Sequence, residues 1–255
     1  MNPAAPPSPL PSRPPSRSPV SHTGIGSRAG ILPADLQALT QATLQDDLGA
    51  ARRLCVRLSE RGVPVRVLLT DLVTPVARHL GELWGDDACD FVHVTIATAL
   101  LRRLVLEIAP QPDADAPADA DALRIMLVPV PGSQHTLGLL VLSRCFQLAG
   151  WAVWSSSAAT LAEVREQAGR VWFDAVGFSI GSSLHAPVLA DAIAAVRASS
   201  VNPDVRLIVG GPALLDDDTL GQAAGADGAA MDADGAVRIA RALVEKARAG
   251  ALVAS

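Results

Sequence analysis

The chain has 255 residues, a formal charge of −5, and 49% of its residues apolar, with no tyrosine. That length can hold one large domain or two small ones with a real core. No apolar run reaches the roughly 20 residues of a membrane-spanning helix, so no direct membrane association is expected. The acidic balance argues against direct DNA binding, which needs clustered Lys and Arg against phosphates. Cys55, Cys89 and Cys145 form no CxxC pair and no zinc framework, and an odd, scattered set fits a reducing cytoplasm.

Residues 1–31 read as a tail rich in Pro, Ser, Gly and Ala, with Arg13, Arg17 and Arg28 and no acid before Asp35. Such a composition buries too little apolar surface to offset its ordering entropy. It lacks the apolar stretch of a secretory signal, so a cytoplasmic location is expected.

Residues 32–110 carry a helical period. Leu36, Leu39 and Thr43 mark a first helix, opened by Pro33 and Asp35. Leu48, Ala51, Leu54 and Leu58 mark a second, ended by Gly62. Pro64 opens a third, with Leu69, Leu72, Val76, Leu80 and Leu83 on one stripe, and Pro75 inside it predicts a kink. A fourth follows Asp90, with Phe91, Val94, Thr98, Leu101, Val105 and Ile108 on one face. Four such helices with short connections predict a bundle.

Residues 111–122 form an acidic Pro/Ala linker, and beyond it the period changes. Within 123–250, the apolar runs Ile125–Val130, Trp151–Trp154, Ala175–Ile180, Leu207–Val209 and Ala229–Met231 alternate with helical segments. Those segments are Leu137–Ala149, Leu161–Arg170, Pro187–Ala198, Asp216–Ala224 and Gly235–Ala249. The fold class is therefore α/β: a four-helix bundle followed by a flavodoxin-like, doubly wound sheet of five parallel strands.

Three loops follow apolar runs at what would be the strands' C-terminal ends. One holds His135, another Ser179-Ile180-Gly181, the third Gly210-Gly211. In a doubly wound sheet these ends share one crevice. An imidazole there can coordinate a metal, a hydroxyl can hydrogen-bond in a pocket, and paired glycines let backbone approach a flat ligand. Singly, each also has a plain structural use: a solvated histidine, a helix cap, a turn.

Taken together, His135-x-x-Gly138, Ser179 and Gly210-Gly211 resemble the cobalamin-binding fold of methionine synthase and its relatives, whose signature is Asp-x-His-x-x-Gly, Ser-x-Leu and Gly-Gly. The resemblance implies His135 as the lower ligand to cobalt, with Gln134, Thr136, Gly138, Ser179, Gly181, Gly210 and Gly211 around the cofactor and its nucleotide tail. It also implies that the bundle caps the upper corrin face, since Gly81-Glu82-Leu83-Trp84 looks like the cap's Gly-x-x-Trp element with Trp84 over the ring. Two positions depart from the family. Ser133 stands where the signature has an aspartate, so a weaker hydrogen bond orients His135, which speaks against methyl-transfer chemistry. The light-sensing relatives carry Glu-His after the tryptophan, where this chain has Val94 and Thr95. His93 comes one residue early, turned by about 100° on a helix.

The stretches Trp84–Thr95 and Pro131–Gly138 look most like the AerR/PpaA-type regulators of photosynthetic bacteria. That resemblance implies a non-enzymatic, light- or redox-responsive antirepressor that acts on a PpsR/CrtJ-type repressor. Its cofactor would be cobalamin, in a hydroxo or adenosyl form that the residues do not choose between. The same scaffold also implies two alternatives, a corrinoid carrier subunit of a methyltransferase and a haem-binding redox sensor. Among the remaining residues, Asp216-Asp217-Asp218 is expected to open a helix. Asp232, Asp234 and Gly235 are expected to form a turn and cap, and His185 to lie at the crevice edge.

Overall fold

The structure, a computed structural model, describes residues 30–86, 89–110, 121–131 and 136–253. The tail before residue 30 and all but the end of the linker lie outside the described residues.

Four helical stretches make up the first part: α1 (Pro33–Leu44), α2 (Leu48–Glu60), the pair α3 (Val65–Val67) and α4 (Thr74–Gly85), and α5 (Phe91–Ile108). Their starts have local causes. The Leu32 N–H donates to Asp35 Oδ2 at 2.9 Å, the Ala50 N–H to Asp47 Oδ1 at 2.7 Å, and the His93 N–H to Asp90 Oδ1 at 2.9 Å, each carboxylate taking an otherwise orphaned helix donor. Leu39, Leu58, Leu68, Leu69, Leu72, Leu80, Leu101 and Leu104 fill the bundle core and are fully buried.

Pro75 does not break the third helix. Between α3 and α4 the backbone widens into a π-helix, Leu68–Val73, and the Thr74 N–H reaches back to Leu69 O. The Thr74 hydroxyl donates to the same carbonyl at 2.9 Å. The wider turn gives the proline ring room against the preceding carbonyls, so the helix runs on past the proline through a π-helical stretch.

The second part is a parallel sheet of five strands: β1 (Arg124–Pro129), β2 (Ala152–Ser155), β3 (Ala175–Ser179), β4 (Arg206–Gly210) and β5 (Gly228–Ala230). Their order is β2-β1-β3-β4-β5, with the switch point between β1 and β3. The helices that follow the strands are α6 (Thr136–Leu148), α7 (Leu161–Arg170), α8 (Ala186–Ser199), the short α9 (Leu220–Ala223) and α10 (Ala233–Val253). Alternate strand residues face opposite sides. Ile125 and Leu127 pack with α6 and α10, while Met126, Val128 and Val130 pack with α7, α8 and α9. Thr160 and Glu163 open α7 with a capping box.

The bundle sits against α6 and α10. Val141 and Cys145 of α6 belong to the bundle's core, and Leu137, Leu140, Ala233 and Val237 pack on it. Arg66 Nη1 pairs with Asp234 Oδ1 at 2.7 Å across the same boundary. Ala233 and Asp234 lie in the first turn of α10 and Leu137 in that of α6. The bundle therefore stands beside the C-terminal edge of the sheet.

Three local expectations are corrected. Phe91 lies in the first turn of α5, off the buried stripe of Ala97, Leu100, Leu101, Leu104 and Val105, and is exposed. Asp216–Asp218 do not open a helix: they lie between a 3-10 turn, Pro212–Leu215, and α9, where Asp217 Oδ1 accepts from the Thr219 N–H at 3.0 Å and its hydroxyl at 2.6 Å. The last strand stops at Ala230, and Met231 is outside it and exposed. The Asp232 cap holds as expected, with Oδ1 accepting from the Gly235 N–H at 2.6 Å.

Candidate functional site

The site residues on the sheet are aligned by strand register. Pro129, Ser179, Gly210 and Ala230 pair successively as one rung across β1, β3, β4 and β5. Just beyond it, the Val130 N–H donates to Ser179 O at 2.9 Å and the Ile180 N–H to Gly210 O at 2.8 Å. The structure thus brings together Ser179, Gly181, Gly210 and Gly211 at the C-terminal edge. Thr136 and Gly138 stand nearby in the first turn of α6, which follows β1. Gln134 and His135, with Ser133, lie outside the described residues.

The glycine pair has a use not foreseen from sequence. Gly211 has φ +123°, and a Cβ there would strike the Ile180 carbonyl oxygen and lie 2.9 Å from its nitrogen and 3.0 Å from its carbonyl carbon. A Cβ on Gly210 would sit 3.2 Å from Ala230 O. These glycines let the loops after β3 and β4 close on each other, which fixes the floor of the crevice. Gly138 differs: it is exposed and a Cβ on it meets nothing within 4 Å. No packing among the described residues requires a glycine there, although glycine in a helix costs about 1 kcal/mol relative to alanine.

Apolar surface gathers at the same edge. Leu184 after β3 is 86% exposed, and Leu215 after β4 and Met231 after β5 are also exposed. On the bundle, Trp84 in the last turn of α4 is 55% exposed and Phe91 at the start of α5 is 69% exposed, with Val92 and Ile96 beside it in sequence. Trp84 therefore does not serve the bundle core. Sequence pattern assigned Phe91 to packing; its place directly after the capping Asp90 is the signal that could have put it outside.

His93 is engaged locally. Its Nδ1 lies 2.8 Å from Asp90 Oδ1, and the backbone N–H and ring of His93 together hold the Asp90 carboxyl below its ordinary pKa. Cys145 is fully buried, and desolvation, reinforced by the Asp234 carboxylate and opposed by Arg66, pushes its thiol up to about 12. Burial raises the Cys55 thiol to about 11. Both behave as small apolar residues. Trp151 packs edge-on against Phe146 with ring centroids 5.3 Å apart, so it belongs to the core.

Among the described residues no three His, Cys, Asp or Glu converge to hold a bare metal ion. A metal carried in a macrocycle asks less, since the ring supplies the equatorial donors and the protein one axial ligand. A groove of about 360 Å³ between α1 and α2 is lined by Ala38, Gln41, Arg53 and Arg57. It lies on the bundle, away from the strand ends. The sheet edge fits a broad, flat, amphipathic ligand better. Among the described residues it combines an uncrowded Gly138, three exposed apolar side chains, and a buried His185 Nδ1 without a partner.

Residues 123–240 match the family described as B12 binding domain. The chain is 27% identical over 149 residues to an uncharacterised 20.5 kDa protein in the bchF-crtJ intergenic region of Rhodobacter capsulatus, covering 58% of this chain and 77% of that one. The structure is similar to the monomethylamine corrinoid protein of Methanosarcina barkeri, with a TM-score of 0.65 at 15% identity, covering 79% of this chain and 94% of that one. It also matches a cobalamin-binding protein from Desulfitobacterium hafniense DCB-2, with a TM-score of 0.45 at 19% identity over 82% and 98% of the two chains. The family match falls on the sheet part of the chain, and the likeness to the first of these structures is one of fold. No helix among the described residues is long and apolar enough to cross a membrane.

Proposed function

We propose that this protein is a cobalamin-binding regulator of transcription, an antirepressor acting on a PpsR/CrtJ-type repressor, and not an enzyme. The observation that carries the reading is a conjunction. The B12-binding match covers the sheet part, and the relative that shares 27% identity is named for a region beside crtJ. In this reading His135 would ligate the cobalt, Gln134, Thr136, Gly138, Ser179, Gly181, Gly210 and Gly211 would hold the cofactor and its tail, and Trp84 would cover it from the bundle. When bound, cobalamin supplies a coloured cobalt centre whose upper ligand can be exchanged.

The chain's own residues set what that exchange can do. Ser133 stands where the family signature has an aspartate, and a hydroxyl is a weaker hydrogen-bond acceptor than a carboxylate, which suits holding a corrinoid more than cycling it through methyl transfer. Trp84 and Phe91 present apolar surface that gains by being covered. A change above the ring alters that covering, and only a difference in contacts between two states can switch a partner. The net charge of −5 suits action through a protein and not through DNA.

The test is a gel-shift of a CrtJ-type repressor on its operator. Cobalamin-loaded protein should release the DNA, whereas the cobalamin-free protein and His135→Ala should leave the complex intact. If loaded protein leaves the repressor in place yet accepts methyl groups from a partner methyltransferase, the carrier reading replaces this one. A Soret band on the protein as isolated would replace it with the haem sensor.

A further inference from the structure

We infer that His185 is a binding residue for the polar nucleotide tail of the corrinoid, reached through its Nδ1. The inference rests on the corrinoid reading above and adds a residue that the family motifs do not contain.

His185 ends the 3-10 turn Ser183–His185 that follows β3, and it is the residue before α8. The turn is locally well made: the His185 N–H donates to Ser182 O at 3.1 Å, and the Ser182 hydroxyl accepts from the Leu184 N–H at 3.3 Å. The imidazole takes no part in it and makes no side-chain cap on α8. Its Nδ1 is shut off from solvent with no hydrogen-bond partner among the described residues. The other two described histidines are unlike it, for His79 Nδ1 lies 3.4 Å from Glu82 Oε2 and His93 Nδ1 lies 2.8 Å from Asp90 Oδ1.

A buried ring nitrogen left unmatched opposes folding, and an apolar side chain of similar size would serve the fold better. A partner arriving with the ligand resolves this. The place is right for one: the turn hangs from the strand that carries Ser179, beside the switch point where open α/β sheets take their ligands. The ring also stands at the positive end of a 14-residue helix, so the group it meets there is favoured as an acceptor, and an anionic one above all. The nucleotide tail of cobalamin carries one such group, its phosphodiester, with ribose hydroxyls beside it. The corrin ring's own side chains are neutral amides. Nδ1 is therefore assigned to the tail, as a donor to phosphate oxygen.

The experiment compares two ligands and three proteins. Wild type, His185→Leu and His185→Asn are titrated with hydroxocobalamin and with aquocobinamide, which keeps the corrin but lacks the nucleotide, and binding is read from the visible spectrum. Loss of one hydrogen bond to a charged group is expected to weaken cobalamin binding by His185→Leu roughly 10- to 100-fold. Cobinamide binding should stay within about twofold of wild type, inside the uncertainty of such differences. His185→Asn keeps an N–H donor near the position of Nδ1 and should recover most of the cobalamin affinity. His185→Leu should also melt no lower than wild type, since it removes an unmatched polar atom. Equal weakening towards both ligands, or none towards either, overturns the role of His185 while the corrinoid reading stands. Binding of neither corrinoid by wild type overturns both.

Discussion

Gly211→Ala is expected to destabilise the protein by about 3–5 kcal/mol, near the upper end for a single substitution. Two costs combine. The backbone at Gly211, φ +123° and ψ 172°, lies in a region that residues with a Cβ scarcely enter. The added methyl also collides with backbone, the Ile180 carbonyl, which cannot swing away as a side-chain tip can. Ile180 is held in turn by its N–H bond to Gly210 O at 2.8 Å, so relief in one loop breaks the pairing in the other. Gly62→Ala separates the two terms. Gly62 has φ +84° but a Cβ there meets nothing within 4 Å, so it should lose only the conformational part, about 1–2 kcal/mol. Denaturant midpoints of the two variants decide it, and equal losses would remove the collision from the account. Because Gly211 closes the crevice floor, its replacement should also weaken ligand binding in whatever fraction remains folded.

Arg144→Met is expected to raise stability by about 1–3 kcal/mol. Arg144 is only 4% exposed, yet among the described residues its side chain has one hydrogen bond, Nη1 to Gln147 Oε1 at 2.7 Å, and its Nε has none. No carboxylate among the described residues pairs with it, and burial pushes the guanidinium below its ordinary pKa. It falls on the same helical stripe as Leu137, Leu140 and Val141, which pack against the bundle, so an uncompensated charge sits where the two parts of the molecule meet. Methionine fills much of the same volume without that desolvation cost. The unfolding free energy from urea titration is the readout, and a loss of stability of the same size would show that the charge is compensated. The same charge weakens the docking of bundle on sheet.

Much of the architecture was legible because the sheet part obeys simple periods. Short apolar runs bounded by helical stripes gave the five strands and their parallel order, and Leu161–Arg170 is the helix its pattern predicts. The rung that joins Ser179 to Gly210 followed from placing both at strand ends. What escaped the sequence depended on tertiary surroundings. Pro75 reads as a kink in any helix, and only the structure shows the π-helix before it. Nothing in the sequence marks Arg144 as buried; α6 is covered by the sheet on one side and the bundle on the other, which leaves that stripe no water. The loop histidine could be singled out by motif, whereas His185 was placed at the crevice edge by position alone, and its unmatched nitrogen shows only in the structure. Gly210 and Gly211 were found for their pattern, and their packing role needed the approach of Ile180 to be seen.

The central claim is that the C-terminal edge of the sheet holds a corrinoid through His135, and an absorption titration with hydroxocobalamin tests it most directly. Wild-type protein should bind the added cobalamin, hold it through gel filtration and shift its visible bands as an imidazole takes the lower position. His135→Ala should bind more weakly and leave the bands as in free cobalamin. An unshifted spectrum with wild type, or a shift that His135→Ala reproduces in full, would contradict the account.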